Sequence, residues 1–197
     1  SITGAADNQW NNVSISSTST NTNLAATGLA DGTYKVYTVD TAGNLSSASN
    51  NNVNLLSVGN SYGGGIIAYF LQSGESIQDI SDDGASYTTI SYDANMLHGL
   101  ITATADQGDG QNGTPTWSNI TNTAVGTTGT AIGTGAANTI AIISQSGHTA
   151  SMAKTCVDYS TDGYSDWYFP SKDEMYKLYL NKTVIGGFVD DLYSTSS

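Results

Sequence analysis

Apolar residues occur in this chain only in short runs, and the longest, from Ile66 to Leu71, has six residues. A helix that crosses a bilayer needs about 20 consecutive apolar residues, so we expect no membrane insertion. Between the runs lie small polar residues, and Thr, Ser, Gly and Asn together make up 90 of the 197 residues. Such a chain is expected to form short strands and helices joined by many turns. Hydrophobic residues, at 38% of the chain, are sufficient for a core.

The charge balance excludes two classes of partner. The chain has 17 acidic residues against 5 basic ones, all of them lysines, and its formal net charge is −12. Because phosphate groups are bound by clustered Lys and Arg, we expect no binding to nucleic acid or to anionic lipid. A surface of hydroxyl and amide side chains with so few cations is typical of secreted bacterial or viral proteins. It predicts an extracellular or cell-surface location.

Residues 1–57 have the alternation of β-strands and no helical period. From Thr33 to Asp40 a strand would place Tyr34, Val36 and Thr38 on one face and Lys35, Tyr37 and Val39 on the other, and turn residues stand on both sides of this segment. The stretch from Gly28 to Leu55 is similar to the last strands of immunoglobulin-like repeats in large bacterial surface proteins. The resemblance implies an all-β sandwich module over 1–57. Because a full sandwich has about 100 residues, this module is either incomplete or small, and an incomplete one would expose a strand edge.

Residues 58–197 combine strand and helix patterns, which predicts an α+β domain with two or three helices. The clearest helix begins after Ser171, because Ser171-Lys172-Asp173-Glu174 has the S-x-x-E spacing of a capping box. The other predicted elements are strands at Ile66–Leu71 and His98–Ala103, a surface loop at 119–139, and helices at 139–144 and 150–159.

Four segments of this second part resemble, in the same order, the C-terminal domain family of the Legionella collagen-like protein. They are VGNSYGGGIIAYF (58–70), HGLITATADQGDG (98–110), GTAIGTGAANTIAII (129–143) and GYSDWYFPSKDEMYKLY (163–179). The resemblance implies a fold related to C-type lectins and a role in adhesion and glycan binding on bacterial surfaces. The chain departs from the family at Phe169, where leucine is usual, and after Phe188, where the family has a Tyr-Trp-Ser-Ser segment. The family continues with further strands, so the domain is expected to be truncated at its C-terminal end.

Aromatic side chains near predicted loops are the best candidates for a ligand surface, because their rings can stack on sugar rings while nearby polar groups bond the hydroxyls. The alternative places aromatic residues such as Trp167 in the core. The candidate ligand-binding residues are Trp117, Asn119, Asp162, Tyr164, Asp166 and Tyr168.

The segment 106–113 carries oxygen-bearing side chains at close spacing between glycines, as a calcium site requires. Asp106, Asp109 and Asn112 are the candidate ligands for Ca²⁺. The segment lacks the spacing of an EF-hand and its bidentate glutamate. A turn rich in Asp and Asn is therefore the alternative.

No nucleophile, base and orienting group can be assembled from the motifs. Cys156 and His148 could form a pair, but Cys156 lies on the apolar stripe of a predicted helix, where an unreactive buried thiol is usual. We therefore expect a non-catalytic cell-surface module that binds a host or environmental glycan or glycoprotein. The alternative is a structural subunit of an extracellular filament, sheath or fibre that binds copies of itself through strand edges.

Overall fold

The computed structural model describes residues 6, 9–15, 24, 26, 28–107, 117–126, 128–190 and 192–197. The chain divides into two compact units, Ser1–Ser57 and Val58–Ser197. Its described part has small antiparallel sheets and four helices, and all four helices belong to the second unit. This mixture confirms the predicted α+β class.

The first unit has one antiparallel pair of strands among its described residues, β1 (Gly32–Tyr34) and β2 (Val53–Leu55). The strand predicted over 33–40 is too long, because serine side chains take over part of its pairing. The backbone N–H of Val36 donates to the hydroxyl of Ser49 at 3.1 Å. The N–H of Thr38 donates to the hydroxyl of Ser46 at 2.9 Å. A regular strand ladder would use carbonyl oxygens at these places.

Two antiparallel sheets form the framework of the second unit. Their strands are β3 (Ser61–Tyr62), β4 (Gly65–Phe70), β5 (Ser76–Ile80), β6 (Tyr87–Ser91) and β7 (Gly99–Thr102). One sheet has the order β3–β4–β7, and the other pairs β5 with β6. The two strands predicted from apolar runs are β4 and β7, and their register shifts between Ile67 and Tyr69. Such a shift lets one strand bend locally.

The helices of the second unit are α1 (Gly135–Ile143), α2 (Met152–Val157), α3 (Lys172–Leu180) and α4 (Lys182–Ile185). The predicted number of two or three is wrong, because the single turn α4 follows α3 directly after Asn181. The surface loop predicted at 119–139 is wrong over 135–139, which begins α1 and is largely buried. None of the described helices is long and apolar enough to cross a membrane.

The second unit has two hydrophobic clusters. The first contains Ala68, Leu71, Ile77, Leu100 and Leu178, so strands of both sheets pack against α3. The second contains Ile142, Ala153 and Phe169, which join α1, α2 and the segment before α3. Full burial of a large apolar side chain stabilises a fold by about 1.5–3 kcal/mol. These clusters therefore fix the helices against the sheets.

Helix α3 begins at the predicted capping box, which is confirmed. The hydroxyl of Ser171 accepts a hydrogen bond from the backbone N–H of Glu174 at 3.4 Å, and the Glu174 carboxylate accepts one from the N–H of Ser171 at 2.7 Å. Further along, Lys177 donates to the hydroxyl of Tyr69 at 3.1 Å and lies 4.4 Å from the centre of its ring. These contacts hold α3 over β4.

Candidate functional site

The segment Trp167–Phe169, within the most distinctive of the four family-like segments, has mainly structural contacts. The indole N–H of Trp167 donates to the carbonyl of Tyr164 at 3.3 Å. Its ring meets the ring of Tyr159 edge to face, with centroids 5.2 Å apart. Phe169 is buried in the second hydrophobic cluster. Phe169 thus lies in the core, whereas Trp167 is half-buried and packs beside Tyr159.

Glu174 is a buried carboxylate, 1% exposed, that accepts hydrogen bonds from three groups. The N–H of Gly133 donates to Oε1 at 2.9 Å, the N–H of Ser171 donates to Oε2, and the hydroxyl of Tyr168 donates to Oε1 at 3.3 Å. Burial and the adjacent carboxylate raise the pKa of Tyr168 well above its usual value of 10.0, so the hydroxyl stays protonated. Tyr168 therefore supports the core, in contrast to the ligand contact that the sequence predicts.

Asp162 and Tyr164 lie together on a tight turn at the surface. The backbone groups of Thr161 and Tyr164 bond each other in both directions, at 3.1 and 2.9 Å. Asp162 has a positive φ of 50°, a conformation that Asp adopts more readily than most residues. The Tyr164 side chain is 46% exposed. The turn thus presents one aromatic ring and one carboxylate to solvent.

Asp166 is paired with a second carboxyl group that the sequence did not single out. It lies close enough to Asp79 on β5 for the two carboxyl groups to interact. Partial desolvation, together with the neighbouring Asp166 carboxyl group and the charge of Asp82, raises the pKa of Asp79 above its usual value of 3.8. A sugar hydroxyl would therefore have to compete with Asp79 for the Asp166 carboxyl group.

The raised pKa of Asp79 predicts how Asp79→Asn changes stability with pH. In the unfolded chain the Asp79 carboxyl group loses its proton near pH 3.8, whereas in the folded chain it keeps the proton to a higher pH. Ionised Asp79 therefore destabilises the fold at a pH above its raised pKa. We expect Asp79→Asn to raise the melting temperature at pH 7 and to leave it unchanged at a pH well below 3.8. Thermal melts at both pH values measure the effect.

Asp83 is the matched control for that experiment, because its pKa is shifted in the opposite direction. Hydrogen bonds from the hydroxyl of Ser81 and the N–H of Ala85 lower the pKa of Asp83. The ionised Asp83 carboxylate therefore stabilises the fold at a pH above the pKa it has in the unfolded chain, and this stabilisation is lost as the pH falls and the group is protonated. Asp83→Asn should therefore lower the melting temperature at pH 7. Equal shifts for the two variants would contradict the assignment.

A groove in the second unit contains one of the exposed candidate rings, Trp117. Its volume is about 660 Å³, and it is lined by Trp117, Ser118, residues 120–126, Thr128, Ser196 and Ser197. The Trp117 side chain is 40% exposed. Its indole N–H donates to the carbonyl of Thr195 at 3.0 Å, which fixes the orientation of the ring. An oriented ring beside polar side chains is the arrangement that ligand sites use.

Asn119 holds the loop that carries Trp117. Its side-chain oxygen accepts from the N–H groups of Thr149 (2.9 Å) and Ala150 (3.1 Å), and its side-chain nitrogen donates to the carbonyl of Gly147 at 3.0 Å. The backbone N–H of Asn119 also donates to the carbonyl of Ala150 at 2.9 Å. These bonds tie the Trp117 loop to the segment before α2. Asn119 is thus a positioning residue and lies outside the lining of the groove.

The segment Thr195–Ser197 forms the other side of the groove and is held by buried contacts. Ser196 is fully buried, and its N–H donates to the carbonyl of Pro170 at 2.9 Å. Its hydroxyl accepts from the amide nitrogen of Asn138 on α1 at 3.0 Å. The hydroxyl of Ser197 accepts from the N–H of Lys172 at 3.1 Å. Both sides of the groove are therefore attached to helices of the core.

The predicted calcium site falls largely outside the described residues, which do not include Asp109 and Asn112. Asp106 is described, and its carboxylate accepts a hydrogen bond from the hydroxyl of Tyr193 at 3.1 Å. Within the ranges that the structure describes, no group of three or more His, Cys, Asp or Glu residues is arranged to hold a metal ion. The Ca²⁺ site stays a prediction.

Cys156 has the surroundings of an unreactive thiol. Burial raises its pKa to about 12, so almost none of it is thiolate at neutral pH. A hydrogen bond of 2.9 Å joins His148 to Ser151, the residue that caps α2. These contacts do not form the thiolate–imidazole pair that nucleophilic catalysis needs.

The structure divides the six predicted ligand residues among several places. Trp117 lines the groove and Asn119 supports it, while Asp162 and Tyr164 share a surface turn. Asp166 lies beside Asp79, and the hydroxyl of Tyr168 donates a hydrogen bond to Glu174. The polar groove residues within 120–126, Thr128 and the Ser196–Ser197 segment were not among the residues predicted from the sequence. Their only signal is a high density of Thr, Ser and Asn, which occurs throughout this chain.

No family model, curated protein or solved structure matches the chain. The groove, the composition and the resemblance of the four segments are therefore the features that bear on function.

Proposed function

We propose that the protein is a non-catalytic adhesion module of a bacterial cell surface and that it binds glycan or glycoprotein in the groove at Trp117. The observation that carries the proposal is the oriented, 40% exposed indole ring beside exposed hydroxyl and amide side chains. One face of a pyranose ring is made of C–H groups, and such a face packs on an aromatic ring. Its hydroxyls exchange hydrogen bonds with Thr, Ser and Asn.

The family resemblance supports the same proposal. It implies a lectin-like fold for residues 58–197 and, through the first segment, an immunoglobulin-like module for residues 1–57. The net charge of −12 and the abundance of Thr, Ser and Asn agree with an extracellular location. Each of these implications belongs to the proposal and is tested with it.

Trp117→Ala tests this function directly. On a glycan array, the full chain should bind a set of saccharides, and the variant should lose about 10-fold or more of that binding, as truncated aromatic anchors do. Tyr164→Ala is the matched control, because it removes another exposed ring from a surface turn. Equal binding by the two variants, or no glycan bound by the wild type, would contradict the proposal.

A structural role is the second candidate, and one observation favours it. None of the described residues of the first unit is buried, and Val39, Leu45 and Val53 are all exposed. Apolar strand residues without a core can be covered by a strand from another copy of the chain. Electron microscopy of purified protein at rising concentration tests this role. Regular filaments would favour it, whereas particles of a single chain would count against it.

A further inference from the structure

The described residues that line the Trp117 groove include no Asp, Glu, Lys, Arg or His. The lining consists of one indole, apolar side chains, hydroxyls and one amide. We infer that the groove takes an uncharged saccharide and discriminates against sulfated or carboxylated ones. This inference rests on the proposed function and names the class of glycan.

The polar side of the groove suits hydroxyl groups of the ligand. Thr121, Asn122 and Thr123 are exposed along it, and the exposed Ser197 lies on the opposite side. A hydroxyl both donates and accepts, and an amide offers one group of each kind. A sugar hydroxyl also donates and accepts, so it can form a hydrogen bond with these groups in either role. A sulfate or carboxylate only accepts, and it would face accepting oxygens as well as donors.

The apolar side of the groove supplies the contact area. Trp117 is held by its bond to Thr195, and Val125 packs against the second hydrophobic cluster. The carbonyl of Thr123 accepts from the side-chain nitrogen of Gln145, which follows α1. The loop is therefore attached to the core at both its apolar and its polar residues. A site fixed in this way binds without first having to order its own side chains.

Charge acts against an anionic ligand at short and at long range. Sulfates and carboxylates are recognised by Arg or Lys or by several converging N–H groups. The chain has no Arg, and its net charge of −12 repels anions at low ionic strength. A charged group taken into the groove would lose part of its hydration without gaining an ion pair. Uncharged saccharides meet none of these penalties.

The test uses the full chain and pairs of oligosaccharides that differ only in charge. Neutral chains of glucose, galactose, mannose or N-acetylglucosamine are compared with sulfated or uronic-acid forms of the same backbone by titration calorimetry. The neutral member of a pair should bind at least about 10-fold more tightly at low salt. Its affinity should change little with added salt, because no ion pair is formed.

Two variants show that the binding occurs in this groove. Trp117→Ala should abolish the preference together with the binding, while Trp117→Phe keeps a stacking ring and should retain both in reduced form. Tighter, Trp117-dependent binding of the charged members would overturn this inference and leave the proposed function standing. Absence of binding by every glycan would overturn both.

Discussion

Glu174→Ala should lower the free energy of unfolding of the second unit by about 3–5 kcal/mol. The carboxylate is fully buried and accepts from the N–H groups of Gly133 and Ser171 and from the hydroxyl of Tyr168. Each buried donor left without a partner costs about 1–3 kcal/mol, and the deleted side chain also leaves a cavity. Urea unfolding followed by near-ultraviolet circular dichroism measures the loss.

Asp173→Ala is the control for that experiment, because Asp173 precedes Glu174 in the first turn of α3. Its removal costs only the favourable interaction of an acid with the helix N-terminus, about 0.3–1 kcal/mol. The N–H of Asp173, which donates to the carbonyl of Thr130 at 2.9 Å, is retained in the variant. Similar losses for the two variants would show that the buried hydrogen bonds of Glu174 contribute little.

Gly133→Ala should destabilise the second unit by about 2–5 kcal/mol. Gly133 has a φ of +81°, where an alanine is strained by about 1–2 kcal/mol. A Cβ atom there would overlap the carbonyl oxygen of Ser76 and lie 3.2 Å from the Cα of Ile77. These are backbone atoms of β5, so the loop would have to move, at an overpacking cost of about 1–3 kcal/mol. Denaturant midpoints of the two proteins give the difference.

Gly163→Ala separates the strain of the left-handed backbone from the steric overlap with β5. Gly163 has almost the same φ, +83°, but nothing lies within 4 Å of a Cβ placed on it. This variant should therefore show only the strain of the left-handed backbone, about 1–2 kcal/mol. The excess loss at Gly133 measures the close approach of the loop to β5. A loss at Gly163 as large as that at Gly133 would contradict this explanation.

The sequence predicts well those parts of the fold that depend on neighbouring residues. The capping box of α3 is an example, because Ser171 and Glu174 are three positions apart and bond each other's backbone. The apolar runs that become β4 and β7 are another example, because a short run of apolar residues is itself the signal of a buried strand. The α+β class then follows from the order of these elements.

The sequence could not predict contacts that depend on tertiary structure. The S-x-x-E spacing shows the cap, but only the fold brings Gly133 to the other oxygen of the same carboxylate. Thr-, Gly- and Ala-rich residues 135–139 look like a loop, yet small side chains are what allow α1 to pack closely. In the first unit, serine hydroxyls replace carbonyls in the strand pairing, which no alternation of apolar residues can indicate.

The candidate site was predicted in part, for the same reason. Trp117 stands out in the sequence as an aromatic residue in a polar loop. The opposite side of the groove comes from Ser196, 79 positions later, and is fixed by Asn138 and Pro170. Asn119, expected to contact a ligand, instead bonds the backbone of residues 147–150. These bonds give Asn119 a structural role, and its contact with a ligand stays a prediction.

The most direct measurement follows the indole N–H signals in a nitrogen–proton correlation spectrum during titration with a neutral oligosaccharide. The chain has three tryptophans, so the spectrum contains three such signals, and those of Trp10 and Trp167 are internal controls. Binding in the groove predicts a saturable shift of the Trp117 signal while the other two stay in place. A bound saccharide that shifts Trp167 or Trp10 and leaves Trp117 unchanged would contradict the assignment of this groove.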